Sequence, residues 1–132
     1  MVFDPMGFLS PCTLELKILF QELCLDKIDC DSNLPNHLLG TWNSSLNELK
    51  CLNNVKILRY YFTSTPVQFE LHRFRDASSR AYAGVVYIRS LYEDGGVNVW
   101  LVASKTRVVP LKRQTIPHLE LLGTLILARL VD

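Results

Sequence analysis

Residues 67–76 read Val67-Gln68-Phe69-Glu70-Leu71-His72-Arg73-Phe74-Arg75-Asp76, and their period sets the architecture of the second half of the chain. Val67, Phe69 and Leu71 alternate with Gln68, Glu70 and His72. A two-residue apolar period marks a half-buried β-strand, because successive side chains leave a strand on opposite faces. The strand is predicted to end at Arg73-Phe74-Arg75, with Asp76 following directly on it. Ala81 to Ser90, rich in Val, Tyr and Ile, reads as a second strand. Glu93-Asp94-Gly95-Gly96 is a turn, and Val97 to Ser104 a third strand. Strands that follow one another this closely pair most easily as an antiparallel meander.

Downstream, Lys105-Thr106-Arg107-Val108-Val109-Pro110-Leu111-Lys112-Arg113 carries four basic residues and no acid, and reads as a basic loop. Thr115 can cap a helix through Leu119, Leu122, Ile126 and Leu130, with Pro117 harmless in the first turn. Leu121, Leu125 and Leu127 make that helix apolar nearly all round, so most of it is expected to be buried. Glu120 is the exception among the leucines.

Upstream, Ser10-Pro11 is a helix start, with Ser as N-cap and Pro at the first helical position. Leu16, Leu19, Phe20 and Leu23 form the stripe of this helix, which ends in the stretch from Asp26 to Asp31. A second helix follows Asn33 and Pro35, with the stripe Leu38, Leu39, Trp42, Leu46 and Leu49. Both stripes read as core. The polar stretch Thr63-Ser64-Thr65-Pro66 closes the helical half. The expected fold is α+β, with helices over residues 1–66. Over 67–132 it has a three-stranded antiparallel meander and one buried helix.

The 132 residues hold 14 Lys+Arg against 13 Asp+Glu, 48% hydrophobic, 10% aromatic and 20% charged residues. That composition excludes a mainly disordered chain, and a net charge of +1 excludes the global footprint of a strongly basic nucleic-acid binder. The charge is uneven. Residues 1–66 hold five basic and seven acidic residues, and residues 67–132 hold nine and six. No apolar run is long enough for a membrane span, and Met1 to Ser10 lacks the Lys or Arg of a signal peptide. An intracellular chain without a membrane partner is expected. Cys12, Cys24, Cys30 and Cys51 contain no Cys-x-x-Cys pair, and Cys24, Cys30 and His37 match no usual zinc spacing. Reduced, mostly buried thiols are expected.

Two carboxylates stand out. A helix packed across the meander would bring Glu120 beside the end of the first strand, where Asp76 stands. Carboxylates are hard oxygen ligands suited to Mg²⁺, and two such ions about 4 Å apart clamp both oxygens of a phosphodiester during in-line displacement. From spacing alone the metal reading is weak, because an aspartate after a strand is more often a turn residue and a lone Glu in a first turn favours the helix dipole. The basic residues Lys105, Arg107, Lys112 and Arg113 read either as a solvated loop or as phosphate-backbone contacts.

Several longer blocks resemble one family. Asp4-Pro5-Met6-Gly7-Phe8-Leu9-Ser10-Pro11, with Lys17 and Gln21-Glu22-Leu23, resembles the opening of the polymerase-to-RNase H junction in BEL/Pao retrotransposon polyproteins. Leu71 to Tyr82 is similar to that family's LHGFSDASxxAY motif, Ser104 to Lys112 to SKTRVAPLK, and Thr115 to Gly123 with Leu127-Ala128-Arg129-Leu130 to TIPRLELLG and LARL. The segment is also known as the Pao retrotransposon peptidase. The resemblance implies a reverse transcriptase connection over residues 1–66, followed by the N-terminal part of an RNase H-like domain. It also implies Asp76 and Glu120 as catalytic, metal-binding carboxylates. Mg²⁺ or Mn²⁺ is then the implied cofactor, an RNA–DNA hybrid or other nucleic acid and the rest of the polyprotein the partners, and the cytoplasm or a virus-like particle the location.

The chain departs from the pattern. Arg73 and Arg75 replace a Gly and a Ser beside Asp76, Ala83-Gly84 reverses a Gly-Ala, Cys24 stands where Trp is common, and His118 replaces an Arg. Added positive charge is expected to compete with Mg²⁺ for Asp76, or to hold a phosphate. An RNase H-like site takes further carboxylates from later elements, and Asp132 lies about 18 Å along the helix axis from Glu120, too far to share a metal pair. A half-complete site, inactive alone, is therefore expected. The alternatives are a domesticated non-catalytic module that binds nucleic acid or protein, and an aspartic peptidase. For the last, Asp76-Ala77-Ser78 and Asp94-Gly95-Gly96 both lack the Asp-Thr/Ser-Gly signature.

Overall fold

The computed structural model describes residues 4–29, 31–57, 60–62 and 64–132. In chain order they form α1 (Ser10–Leu25), α2 (Asn36–Cys51), a 3-10 turn (Leu52–Asn54), β1 (Gln68–Ala77), β2 (Ala81–Leu91), β3 (Val97–Val108) and α3 (Ile116–Val131). The arrangement is α+β, as the periodicities predict, and is consistent with a partial RNase H-like unit. The chain divides into two compact units, Met1–Ser10 with Leu58–Asp132, and Pro11–Ile57. Cys30 and Thr63, named above in a thiol set and a boundary, lie outside the described residues.

In the Pro11–Ile57 unit both helices form where their stripes predict, but burial follows the stripes only in part. Ile18, Leu19 and Leu38 are buried, whereas Phe20, Leu39 and Leu46 are exposed and Ser45 is buried. An apolar stripe states which side of a helix favours burial; whether a neighbour covers it is a tertiary fact. Cys12, Cys24 and Cys51 are free thiols, and Cys24 and Cys51 are exposed rather than buried.

The other unit is built on the meander, whose strands run in the order β1-β2-β3 and pair antiparallel throughout. Ser78 closes the first hairpin: its hydroxyl accepts from the N–H groups of Arg80 and Ala81, and its own N–H donates to Ala81 O. Gly95, at φ +79°, makes the second turn, where Asp94 Oδ1 accepts from Gly96 N at 2.8 Å. Two strand ends differ from expectation. β1 runs on to Ala77, so Asp76 is a paired strand residue opposite Ala83. β3 runs on to Val108, so Lys105 and Arg107 are strand residues rather than loop residues. Both segments continue because each has β2 to pair with, which a local composition cannot report.

Alternation on β2 is strict. Tyr82, Gly84, Val86, Ile88 and Ser90 are buried, with half-buried residues between them. α3 lies on that buried face, where Tyr82, Leu119 and Ile126 form a core joined by Ala77, Val109, Leu122 and Leu130. Close approach rests on two glycines. A Cβ at Gly84 would come within 3.3 Å of Ile126 Cγ2 and Leu127 N, and one at Gly123 within 3.3 Å of Ala83 O. Only one side of α3 is covered, contrary to the expectation of a mostly buried helix. Leu119 is 1% exposed, but Leu121 is 65% exposed.

The N-terminal segment docks on β3. Ser104 donates its N–H to Met6 O and its hydroxyl to Gly7 O. Gly7 is at φ +73°, and a Cβ there would overlap the Ser104 carbonyl, so two separate constraints demand glycine. The Asp4 carboxylate accepts from the N–H groups of Phe8 and Leu9, just before α1 begins at Ser10. The helix starts at Ser10, where the Ser10-Pro11 signal predicts a helix start. At α3, Thr115 does occupy the N-cap position with extended backbone, but its side chain makes no capping bond.

Candidate functional site at the crossing of α3 and β1

Gly123 places α3 over the end of β1, since a Cβ there would lie 3.7 Å from Asp76 O and 3.8 Å from Arg75 Cβ. Glu120 stands three residues earlier on the helix, which brings it to the same strand end. Its carboxylate Oε2 lies 3.6 Å from Arg75 Nη1, and the same guanidinium nitrogen donates to Glu120 O at 3.2 Å. The helix has therefore carried Glu120 to Arg75, the residue before Asp76.

The pleat determines which β1 side chain meets it. Arg75 pairs with Gly84, whose absent side chain makes room for α3, so Arg75 projects from the helix side of the sheet. Asp76, one residue on, pairs with Ala83 and projects from the opposite side. Its Oδ1 accepts from Ala77 N at 2.9 Å. The arginine expected to compete for Asp76 instead engages Glu120. Both members of that ion pair are about half exposed, so the contact is a surface one.

This donor set does not by itself make a divalent-metal site. Magnesium demands near-ideal octahedral oxygen geometry. Here one of the two carboxylates already has a guanidinium partner, and the two residues leave opposite faces of the sheet. No cluster of three or more His, Cys, Asp or Glu suited to a metal occurs among the described residues.

The other predicted site residues flank this crossing. Lys105 pairs with Gly84 and Arg107 with Tyr82, so both lie on the helix side of β3. Lys112 and Arg113 follow β3 in the connection to α3, and all four are exposed. The opposite side of the sheet has its own grouping. Glu70 Oε2 accepts from His72 Nε2 at 3.1 Å and Arg89 Nη1 at 3.3 Å, while Oε1 accepts from Gln68 at 3.1 Å. Hydrogen bonding from His72, and then Arg89, holds the Glu70 carboxyl below the usual glutamate range. Phe74 and Tyr87 meet edge to face beside it, at 6.1 Å between centroids. Neither grouping was legible in the sequence, because strand register creates both.

The Asp94 and Asp76 tripeptides weighed for a peptidase are a hairpin tip and the last turn of a strand pair, with Ser78 spent on closing the hairpin. No helix among the described residues is long and apolar enough to cross a membrane. Comparison with known proteins adds one finding. A family model described as the Pao retrotransposon-like RNaseH-like domain matches residues 1–132, the helical half as well as the strands. No curated protein and no solved structure matches the chain. The match spans the α1–α2 segment, the meander and α3 together, and on it the chain belongs to the Pao retrotransposon-like RNaseH-like domain family.

Proposed function

We propose that this chain is the polymerase-to-RNase H junction of a BEL/Pao-type retrotransposon polyprotein, and that alone it holds nucleic acid without cutting it. In this reading α1 and α2 are the connection from the reverse transcriptase, and the meander with α3 is the N-terminal part of the RNase H-like domain. The observation that supports it is the crossing of α3 over the end of β1, where Glu120 meets Arg75, the residue before Asp76. These two residues are the candidate catalytic and metal-binding carboxylates, and they require further oxygen donors from elsewhere in the polyprotein. Lys105, Arg107, Lys112 and Arg113 are the candidate contacts to an RNA–DNA hybrid or related nucleic acid.

A second reading, a domesticated non-catalytic module, draws support from Arg75 as the partner of Glu120. One experiment serves both. The purified chain, Asp76→Asn and Glu120→Gln are incubated with an RNA–DNA hybrid while Mg²⁺ or Mn²⁺ is titrated. The expected result is bound, uncut hybrid in all three. Metal-dependent cleavage by the unsubstituted chain, lost in both variants, would show a complete site and overturn the proposal.

A further inference from the structure

The helix side of the sheet carries basic charge alone, whereas the other side mixes Glu70 and Asp76 with Arg89, and only the register reveals it. On the helix side, β1 contributes Phe69, Leu71, Arg73, Arg75 and Ala77, opposite Ser90, Ile88, Val86, Gly84 and Tyr82 of β2. β3 contributes Asn98 and Trp100, then Ala103, Lys105 and Arg107, after the irregularity at Val86/Tyr87. Every charged sheet residue on this side is basic. The acids of the sheet, Glu70 and Asp76, both lie on the other side.

All four cations, Arg73, Arg75, Lys105 and Arg107, are exposed. Arg73, Lys105 and Arg107 make no ion pair among the described residues, and Arg75 has the surface pair with Glu120 alone. Arg73 and Arg75 stand about 7 Å apart along one strand, on the same side. The β3 pair lies about 10 Å away across the sheet, with α3 between them. A guanidinium is a fixed fork of donors that matches a phosphate in bidentate fashion, whereas a carboxylate reaches a phosphate only through a metal.

We propose that the helix side of this sheet binds the nucleic-acid backbone directly, with Arg73 and Arg75 neutralising phosphates where a metal-dependent site would interpose a divalent cation. The inference rests on the nucleic-acid reading above and deepens it.

The test is binding of a fluorescent RNA–DNA hybrid to the full chain in excess EDTA, across a series of salt concentrations. It compares the unsubstituted chain with R73G/R75S, R73K/R75K and K112A/R113A, each checked for the native thermal transition. Binding by the unsubstituted chain should persist in EDTA. R73G/R75S should weaken it about tenfold and lower the salt slope by about two, close to one for each phosphate no longer neutralised. R73K/R75K keeps the charges, so its slope should stay near that of the unsubstituted chain while its affinity falls by a smaller factor. Hybrid binding that vanishes in EDTA, or is unmoved in R73G/R75S, overturns the inference. If K112A/R113A alone loses binding, the nucleic-acid reading stands and this assignment fails. If no sample binds, both fail. Heparin serves as a comparison, and an equal loss of heparin and hybrid binding in R73G/R75S would mark a general polyanion surface and overturn the inference too.

Discussion

Arg75 on β1 reaches Glu120 on α3 through two atoms, its Nη1 lying 3.6 Å from Oε2 and 3.2 Å from the main-chain oxygen. The pair ties the helix to the strand one residue before Asp76, whose own side chain leaves the other face of the sheet. Because both side chains are about half exposed, its energetic weight is small. Arg75→Ala should change the free energy of unfolding in urea by less than about 1 kcal/mol. A larger loss would mean that Arg75 is structural rather than available to a ligand.

Gly84 permits what Arg75 uses. Its Cβ position faces Leu127 N at 3.3 Å, a main-chain atom that cannot rotate away. Gly84→Val should destabilise by about 1–3 kcal/mol, as overpacking does, and should push α3 off β2. Urea melts give the first quantity. Weaker protection of the α3 amides in hydrogen exchange would report the second.

Gly7 is constrained from two sides, by a left-handed backbone and by the Ser104 carbonyl. Gly7→Ala should cost about 1–2 kcal/mol from backbone handedness alone, and more from the displaced packing on β3. Exchange protection at the Ser104 amide, which donates to Met6 O, should fall with it. An unchanged thermal transition would remove the N-terminal segment from the account of this unit's stability.

Leu119 and Leu121 stand two positions apart, yet one is 1% exposed and the other 65%. Leu119→Ala should destabilise by about 2–5 kcal/mol through the cavity it leaves. Leu121→Ala should stay within about 0.5 kcal/mol, as an exposed substitution does. Equal losses in the two variants would place Leu121 in contact with something that covers it.

Glu70 sets an acid-side prediction. Its folded carboxyl is held below the ordinary value, first by hydrogen bonding from His72 and also by Arg89. A depressed folded pKa means that the stabilising contribution is complete above the unfolded value of about 4.3, and is lost as pH falls through the lower folded value. Carbon-13 NMR of the Glu70 carboxyl should show a midpoint below that of an unstructured glutamate. His72→Ala should raise it toward the ordinary value, and a midpoint unmoved by that substitution would assign the depression to Arg89.

Much of this protein is local. The two-residue alternation at Val67 to His72, the Gly95-Gly96 turn and the helical stripes act between near neighbours in the chain, so the order of elements and the α+β class are readable from composition and period, although β1 is not half-buried as that alternation predicts: Val67, Phe69 and Leu71 are all exposed. The candidate pair Asp76 and Glu120 was legible as residue types, and the roles proposed for them come from the resemblance rather than from spacing. Tertiary structure alone decided which side chains meet. Register and pleat are relations between strands: they turned Arg75 toward Glu120 and Asp76 to the other face, and gathered Arg73, Lys105 and Arg107 on the side of α3. The same relations extended β1 through Asp76 and β3 through Arg107. The exposure of Leu121 and Phe20 was equally beyond local reading, since an apolar side chain states a preference for burial while only a neighbouring element can satisfy it.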